Sequence, residues 1–313
     1  MKGKKVVITG GAGFIGSNLA AALYKHNKVV VVDDLSSGRK ENMAYSKNDR
    51  ISFIKADISR LESLKSIMEG VDYVFHLAAI PSVLQSISNP HLTNDVNVNG
   101  TMNVLVASKE NGVKKVVFTS SAAVYGNIES VPITEDMHAA PNSPYGVQKL
   151  GAEHYCRVFY EVYGLATTSL RLFNVFGPNQ DPSSQYSAVI PKFIMSLKKN
   201  TPPTIYGDGN QTRDFIFVED VVSACILAAG NTRSNGMSIN IAGGRETTVN
   251  DLASMISEKM DKSIEPVHSE AKKGEIRRSF ADISLADSIL GFSPKFSLDG
   301  GLDITVDHFN KQD

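Results

Sequence analysis

The stretch Val6-Val7-Ile8-Thr9-Gly10-Gly11-Ala12-Gly13-Phe14-Ile15-Gly16 decides the fold. Four apolar or β-branched residues without alternation read as a strand buried on both faces. Apolar residues then recur at helical spacing over 14–25. Between the two, glycines at 10, 13 and 16 permit a tight turn, close backbone approach to a pyrophosphate and packing of helix on strand. A glycine triplet alone is a weak signal, but here a strand precedes it, a helix follows, and an acid closes a second apolar run at 29–32. That acid, Asp33, lies 23 positions after Gly10. Its carboxylate can accept from the adenosine ribose hydroxyls and would repel a 2′-phosphate, which selects NAD over NADP. Arg39 nearby pulls the other way.

Outward from this loop, further apolar runs at 51–54, 73–76, 116–119 and 167–172 alternate with helical patterns at 97–111 and 144–163. Such repetition predicts an α/β fold: a Rossmann-type, doubly wound parallel sheet covered on both faces. Proline, asparagine and serine cluster after residue 178, and a strand-like then helical pattern resumes over 215–229. The expected division is an NAD-binding domain of 1–176 and about 212–242, with a smaller α/β substrate lobe of about 177–211 and 243–313.

The 313 residues carry a formal charge of −1, so nothing global recommends a nucleic acid or an anionic membrane as partner. Glycines interrupt the first apolar run too early for a signal-peptide core, and no stretch reaches the length of a membrane span. A cytoplasmic protein is expected. Cys156 and Cys225 lack metal-ligand spacing, so no metal site is expected.

Tyr145 and Lys149 stand four residues apart, on one face of a helix. Ser121 ends a strand 24 residues before Tyr145, at the sheet edge where ligands of such folds bind. Removing hydride from a carbinol carbon also requires removing the hydroxyl proton, and a free tyrosine with a pKa of about 10 is a poor base at neutrality. A neighbouring ammonium and a nicotinamide cation would stabilise the phenolate, and a serine hydroxyl would hold the same substrate oxygen.

Gly-x-x-Gly-x-x-Gly with Ser121, Tyr145 and Lys149 resembles the short-chain dehydrogenase/reductase superfamily. The segments Thr119–Gly126, Arg171–Pro178, Gln180–Pro182, Ala188–Lys192, Tyr206–Gly209, Arg213–Phe215 and Gly274–Ser279 resemble its extended branch. Within that branch they are similar to UDP-glucose and UDP-N-acetylglucosamine 4-epimerases. The resemblance implies catalysis by Ser121, Tyr145 and Lys149. It implies NAD contacts from Gly10, Gly13, Phe14, Ile15, Gly16, Asp33, Asp34, Ser37, Gly38, Asp57, Ile58, Leu77, Ala78, Ala79, Asn97, Thr119 and Phe173, with Lys149 also holding the nicotinamide ribose. Asn174 would contact the diphosphate, and Ala188, Val189, Ile205 and Tyr206 the uracil. Arg213 would bind phosphate, while Ser82 and Ser121 face the sugar. In such epimerases hydride leaves carbon 4, the 4-keto sugar turns, and hydride returns to its other face.

The family's usual Arg-x-Gly-Asp reads Lys272-Lys273-Gly274-Glu275 here. Lysine lacks the planar fork that arginine offers a phosphate, so Lys272 acts as a point charge or Arg277 takes part of the role. Ser279 aligns with the position that admits or excludes a 2-N-acetyl group. A small serine leaves room, so UDP-GlcNAc/UDP-GalNAc are the expected substrates and UDP-Glc/UDP-Gal accepted ones. The alternatives are a nucleotide-sugar 4,6-dehydratase or UDP-glucuronate decarboxylase, which place acids near Ala122-Ala123, and a non-catalytic NAD-binding module. A homodimer through the helices at 97–111 and 144–163 is implied by the resemblance.

Overall fold

The computed structural model describes residues 1–43, 48–128, 130–182, 189–271 and 276–311. Six strands come first: β1 (Lys5–Thr9), β2 (Lys28–Asp33), β3 (Ile51–Lys55), β4 (Tyr73–His76), β5 (Lys115–Ser121) and β6 (Ala166–Leu172). Four short ones follow: β7 (Asn174–Phe176), β8 (Thr204–Tyr206), β9 (Thr212–Arg213) and β10 (Phe215–Phe217). Then come β11 (Met237–Ile241), β12 (Thr247–Thr248) and β13 (Val267–Ser269). Seven of them form one sheet in the order β11-β6-β5-β4-β1-β2-β3, with every pairing parallel. The order reverses between β1 and β4, which opens a crevice beyond their C-terminal ends.

Both faces of the sheet are covered. One core gathers Ile8, Val31, Phe75, Leu170 and Ile239 with residues of the helices Phe14–Leu23 and Val218–Gly230. The other gathers Val7, Val74, Val116 and Phe118 with Leu105, Ala152 and Phe159. This two-sided burial is why the strands read as unbroken apolar runs. A third core joins the helices Val189–Lys198, Val249–Lys259 and Leu298–Asn310 through Phe193, Ile256 and Val306. Ala286, Leu290 and Phe292 pack into the first core, so that part of the C-terminal third lies against the sheet.

The helix expected at 97–111 is composite. A π-helical turn, Asp95–Asn99, joins Pro90–Asn94 to Gly100–Glu110. Such turns re-aim side chains and recur at functional sites. No described helix is long and apolar enough to cross a membrane.

Candidate active site

A cleft of about 560 Å³ lies past the C-terminal ends of β1, β2, β4 and β5. Gly10 turns the chain at φ +69°, and a Cβ on it would stand 2.6 Å from the backbone nitrogen of Ala78. A Cβ on Gly16 would run into the carbonyl of Gly10. Positions 10 and 16 of the loop can therefore hold only glycine, and its N–H groups stand at the start of the helix Phe14–Leu23. At the tip of β2, Asp33 accepts from the backbone N–H of Ala12 at 3.0 Å and of Leu35 at 2.8 Å. Burial raises its pKa, and those two N–H groups pull it back. The carboxylate is thus held rigid, with one lone pair on each oxygen left for ribose hydroxyls. These features fit a dinucleotide with a free 2′-hydroxyl.

Ser121, Tyr145 and Lys149 line the same cleft. Ser143 caps the helix Pro144–Tyr163 by accepting from Gly146 N–H, and Pro144 opens it, which fixes Tyr145 and Lys149 one turn apart. The Lys149 ammonium donates to the Thr119 carbonyl at 2.8 Å and lies 4.7 Å from the Phe118 ring centroid. Burial brings its pKa down to about 8. Burial also pushes the Tyr145 phenol up to about 12, against a hydrogen bond from Ser121 that lowers it. Beneath them, His76 is bonded to Thr9 at 2.7 Å and Thr101 at 2.9 Å. Burial, then the Lys149 charge, depresses it to about 3, so it stays neutral.

The residues expected to hold a substrate are placed unevenly. Ser121 lines the cleft; Ser82 is buried and caps the helix Val83–Ser88 through Gln85 N–H. The Asn174 side chain donates to the Asp214 carbonyl at 3.0 Å. Arg213 donates to the carbonyls of Thr212 and Ile276, each at 2.8 Å, so it stands beside the segment that leads to Arg277 and the buried Ser279. Arg277 forks onto Asp208 at 2.8 and 2.9 Å. Ile205 departs from expectation: its side chain is 1% exposed inside the third core, so its backbone alone can meet a base. Val189 packs against that core too, whereas Tyr206 is exposed. Ala188 and Lys272 lie outside the described residues.

The profile of the NAD dependent epimerase/dehydratase family matches residues 6–242. The chain belongs to this family. NAD is accordingly its cofactor, and the protein is an NAD-using enzyme. A solved UDP-N-acetylglucosamine 4-epimerase from Methanobrevibacter ruminantium M1, in complex with UDP-N-acetylmuramic acid, is 42% identical, with a TM-score of 0.97 over 100% of both chains. A solved UDP-glucose 4-epimerase from Thermotoga maritima with UDP-glucose is 38% identical, with a TM-score of 0.93 over 98% of this chain and 99% of that one. A UDP-glucose 4-epimerase of Mycolicibacterium smegmatis is 37% identical over 98% of this chain and 99% of its own length.

In this epimerase/dehydratase chain, eighteen of the residues expected at the NAD or catalytic site share the cleft. They are Gly10, Gly13, Phe14, Ile15, Gly16, Asp33, Asp34, Ser37, Asp57, Ile58, Leu77, Ala78, Ala79, Thr119, Ser121, Tyr145, Lys149 and Phe173. Gly38 is absent from the lining but stands where a Cβ would press on Asp33, 2.6 Å from Oδ1. Asn97 also stands behind the wall. From the π turn it accepts from Ile80 N–H at 2.8 Å and donates to Ile80 O at 3.1 Å and Gln148 at 2.9 Å. It braces the wall instead of lining it. Ala56, Ile80 and Pro81 also line the cleft; each follows a parallel strand closely, and the rule that ligands sit past such ends would have found them.

Arg39 donates to Asp181 at 2.8 Å, which engages the cation that would otherwise attract a 2′-phosphate. Replacing Asp33 by serine should therefore weaken NAD by about 10- to 100-fold, the worth of hydrogen bonds to a charged group. Fluorescence titration with NAD and NADP checks this. Unchanged NAD affinity would remove Asp33 from the ribose site.

Proposed function

We propose that this protein is a UDP-hexose 4-epimerase, interconverting UDP-GlcNAc with UDP-GalNAc and accepting UDP-Glc and UDP-Gal. The observation that carries the reaction type is the cleft in which Ser121, Tyr145 and Lys149 meet the dinucleotide cradle while Ala122 and Ala123 follow Ser121. A dehydratase needs an acid/base pair there to eliminate water, and two methyl side chains cannot move a proton. Similarity to epimerases acting on UDP-N-acetylglucosamine and UDP-glucose supports the same reading.

When bound, NAD⁺ supplies the hydride acceptor for carbon 4 and later the donor. Tyr145 takes the 4-hydroxyl proton and returns it. Ser121 is held by the Ala123 N–H at 3.2 Å and hydrogen-bonds the same sugar oxygen. Lys149 stabilises the phenolate and holds the nicotinamide ribose. Asn174, Arg213, Lys272 and Arg277 retain the diphosphate, Arg277 by leaving Asp208. Tyr206, Val189 and Ala188 border the uracil. A tight grip on the nucleotide and a loose one on the hexose suit a keto sugar that must turn over.

Ser279 is the reason for choosing the acetylated pair, since its small side chain leaves space beside carbon 2. Ser279→Tyr should raise KM for UDP-GlcNAc by at least about tenfold, the effect of filling a pocket by about 1.4 kcal/mol or more. UDP-Glc turnover should stay near wild type; equal losses on both would overturn the assignment. The reaction itself is tested by incubating the NAD-loaded enzyme with UDP-GlcNAc, UDP-Glc or UDP-glucuronate without reductant and identifying products by NMR. A C4 epimer is expected, whereas a 4-keto-6-deoxy sugar or a pentose would point to elimination or decarboxylation.

The homodimer expected through the helix Pro144–Tyr163 is part of the same proposal. Leu84, Ile87, Val147, Val158 and Val162 are exposed on that helix and on Val83–Ser88 beside it, an apolar face of the kind a partner subunit covers.

A further inference from the structure

Asp214 is fully buried, and among the described residues its carboxylate meets backbone N–H groups and no cation. Oδ1 accepts from Gly243 at 2.8 Å; Oδ2 accepts from Gly244 at 3.2 Å and Ala281 at 3.1 Å. The Arg245 N–H contributes as well. The two glycines shape this nest: Gly244 turns at φ +69°, and a Cβ on Gly243 would run into the Phe215 carbonyl. A carboxylate buried without a cation is costly, and an apolar side chain could fill the space. What it does that an apolar residue cannot is tie two separate pieces of chain, 243–245 and Ala281, to its own strand.

Those pieces surround the nucleotide end of the proposed substrate site. Asp214 follows Arg213 directly. Its carbonyl accepts both the backbone N–H of Asn174 at 3.2 Å and that side chain's amide at 3.0 Å. Ala281 lies two residues beyond Ser279. We propose that Asp214 is a positioning residue for UDP-sugar binding: its carboxylate fixes the Ser279-bearing segment against the strand that presents Arg213 and beside Asn174. The inference rests on the UDP-sugar reading above.

The test is UDP affinity by calorimetry on the NAD-loaded protein, with KM and kcat for UDP-GlcNAc per bound NAD. Asp214→Asn removes the charge and turns one of the two acceptor oxygens into an amide donor facing N–H groups, so the anchor on the Ser279 segment weakens. Kd for UDP and KM should each rise at least about tenfold, as for loss of a hydrogen bond to a charged group. NAD content and kcat per bound NAD should stay near wild type.

Ala281→Pro tests the same link from the other end. Among the described residues, Ile133 bonds to Phe280 O and Asp282 N on either side of Ala281, so the one backbone hydrogen bond that proline removes here is the donor to Asp214. Unchanged UDP affinity in a folded variant overturns the proposal. So does loss of NAD and fold in both variants, which would assign Asp214 to stability alone. If wild type binds no UDP, the functional reading fails instead, and that result is separable because it needs no variant.

Discussion

Tyr145→Phe should lower kcat by about 10³-fold or more while leaving NAD binding intact, the scale of losing a general acid/base. The structure raises the demand on this residue. Burial carries the phenol up to about 12, so a phenolate at pH 7 requires stabilisation of about 7 kcal/mol at 1.36 per unit. The Lys149 ammonium stands 5.9 Å from the ring centroid.

The nicotinamide cation, when NAD⁺ is bound, adds to the Lys149 charge in favouring the phenolate. Tyr145 should accordingly stay protonated at neutral pH in the NAD-free protein and ionise far lower in the NAD⁺ complex. Ultraviolet difference titration of wild type against Tyr145→Phe reads this directly. A phenol that ionises at the same pH with and without NAD⁺ would contradict the electrostatic argument, and a Tyr145→Phe enzyme of normal kcat would remove Tyr145 from the chemistry.

Glu153→Leu should cost about 3–5 kcal/mol of stability, the penalty for stranding a buried charge, out of a total of about 5–15 for a typical protein. Glu153 lies one turn past Lys149, and its carboxylate takes Arg171 Nε at 3.0 Å and Nη2 at 2.8 Å. Arg171 also donates to the Tyr125 hydroxyl at 2.8 Å, which donates to Asn240 at 2.6 Å. The side chains of Arg171 and Glu153 are 9% and 3% exposed, so the lost partner cannot be replaced by water. Joining β6, β11 and the helix Pro144–Tyr163, the network sets the platform on which Lys149 stands. The double variant Glu153→Leu/Arg171→Leu should recover most of the loss in urea unfolding. A double variant no more stable than the single would show that packing, not the orphaned arginine, carries the effect.

The glycine loop and Asp33 that line the cleft are legible in the sequence because their signals are local. The glycines, the strand before them and Asp33 lie within one β-α-β unit, and a single motif reads them together. The Glu153 network was not legible, since its pairs lie 18, 46 and 115 residues apart. That also hid β11, where Ser238 and Asn240 break the apolar run; both are bonded within the network. The resemblance places Asn97 at the cofactor, and a helical pattern does not show the π turn in which its amide bonds to Ile80 behind the cleft wall. The resemblance places Ile205 at the uracil without saying which face its side chain takes, and the burial of that side chain in the third core is visible only in the fold.

The measurement closest to the central claim uses UDP-GlcNAc carrying deuterium at carbon 4, incubated in ordinary water with the NAD-loaded enzyme. Hydride that leaves and returns within one closed cleft predicts full retention of deuterium at carbon 4 in both UDP-GlcNAc and UDP-GalNAc by NMR. Deuterium lost to solvent, or moved to another carbon, would contradict it.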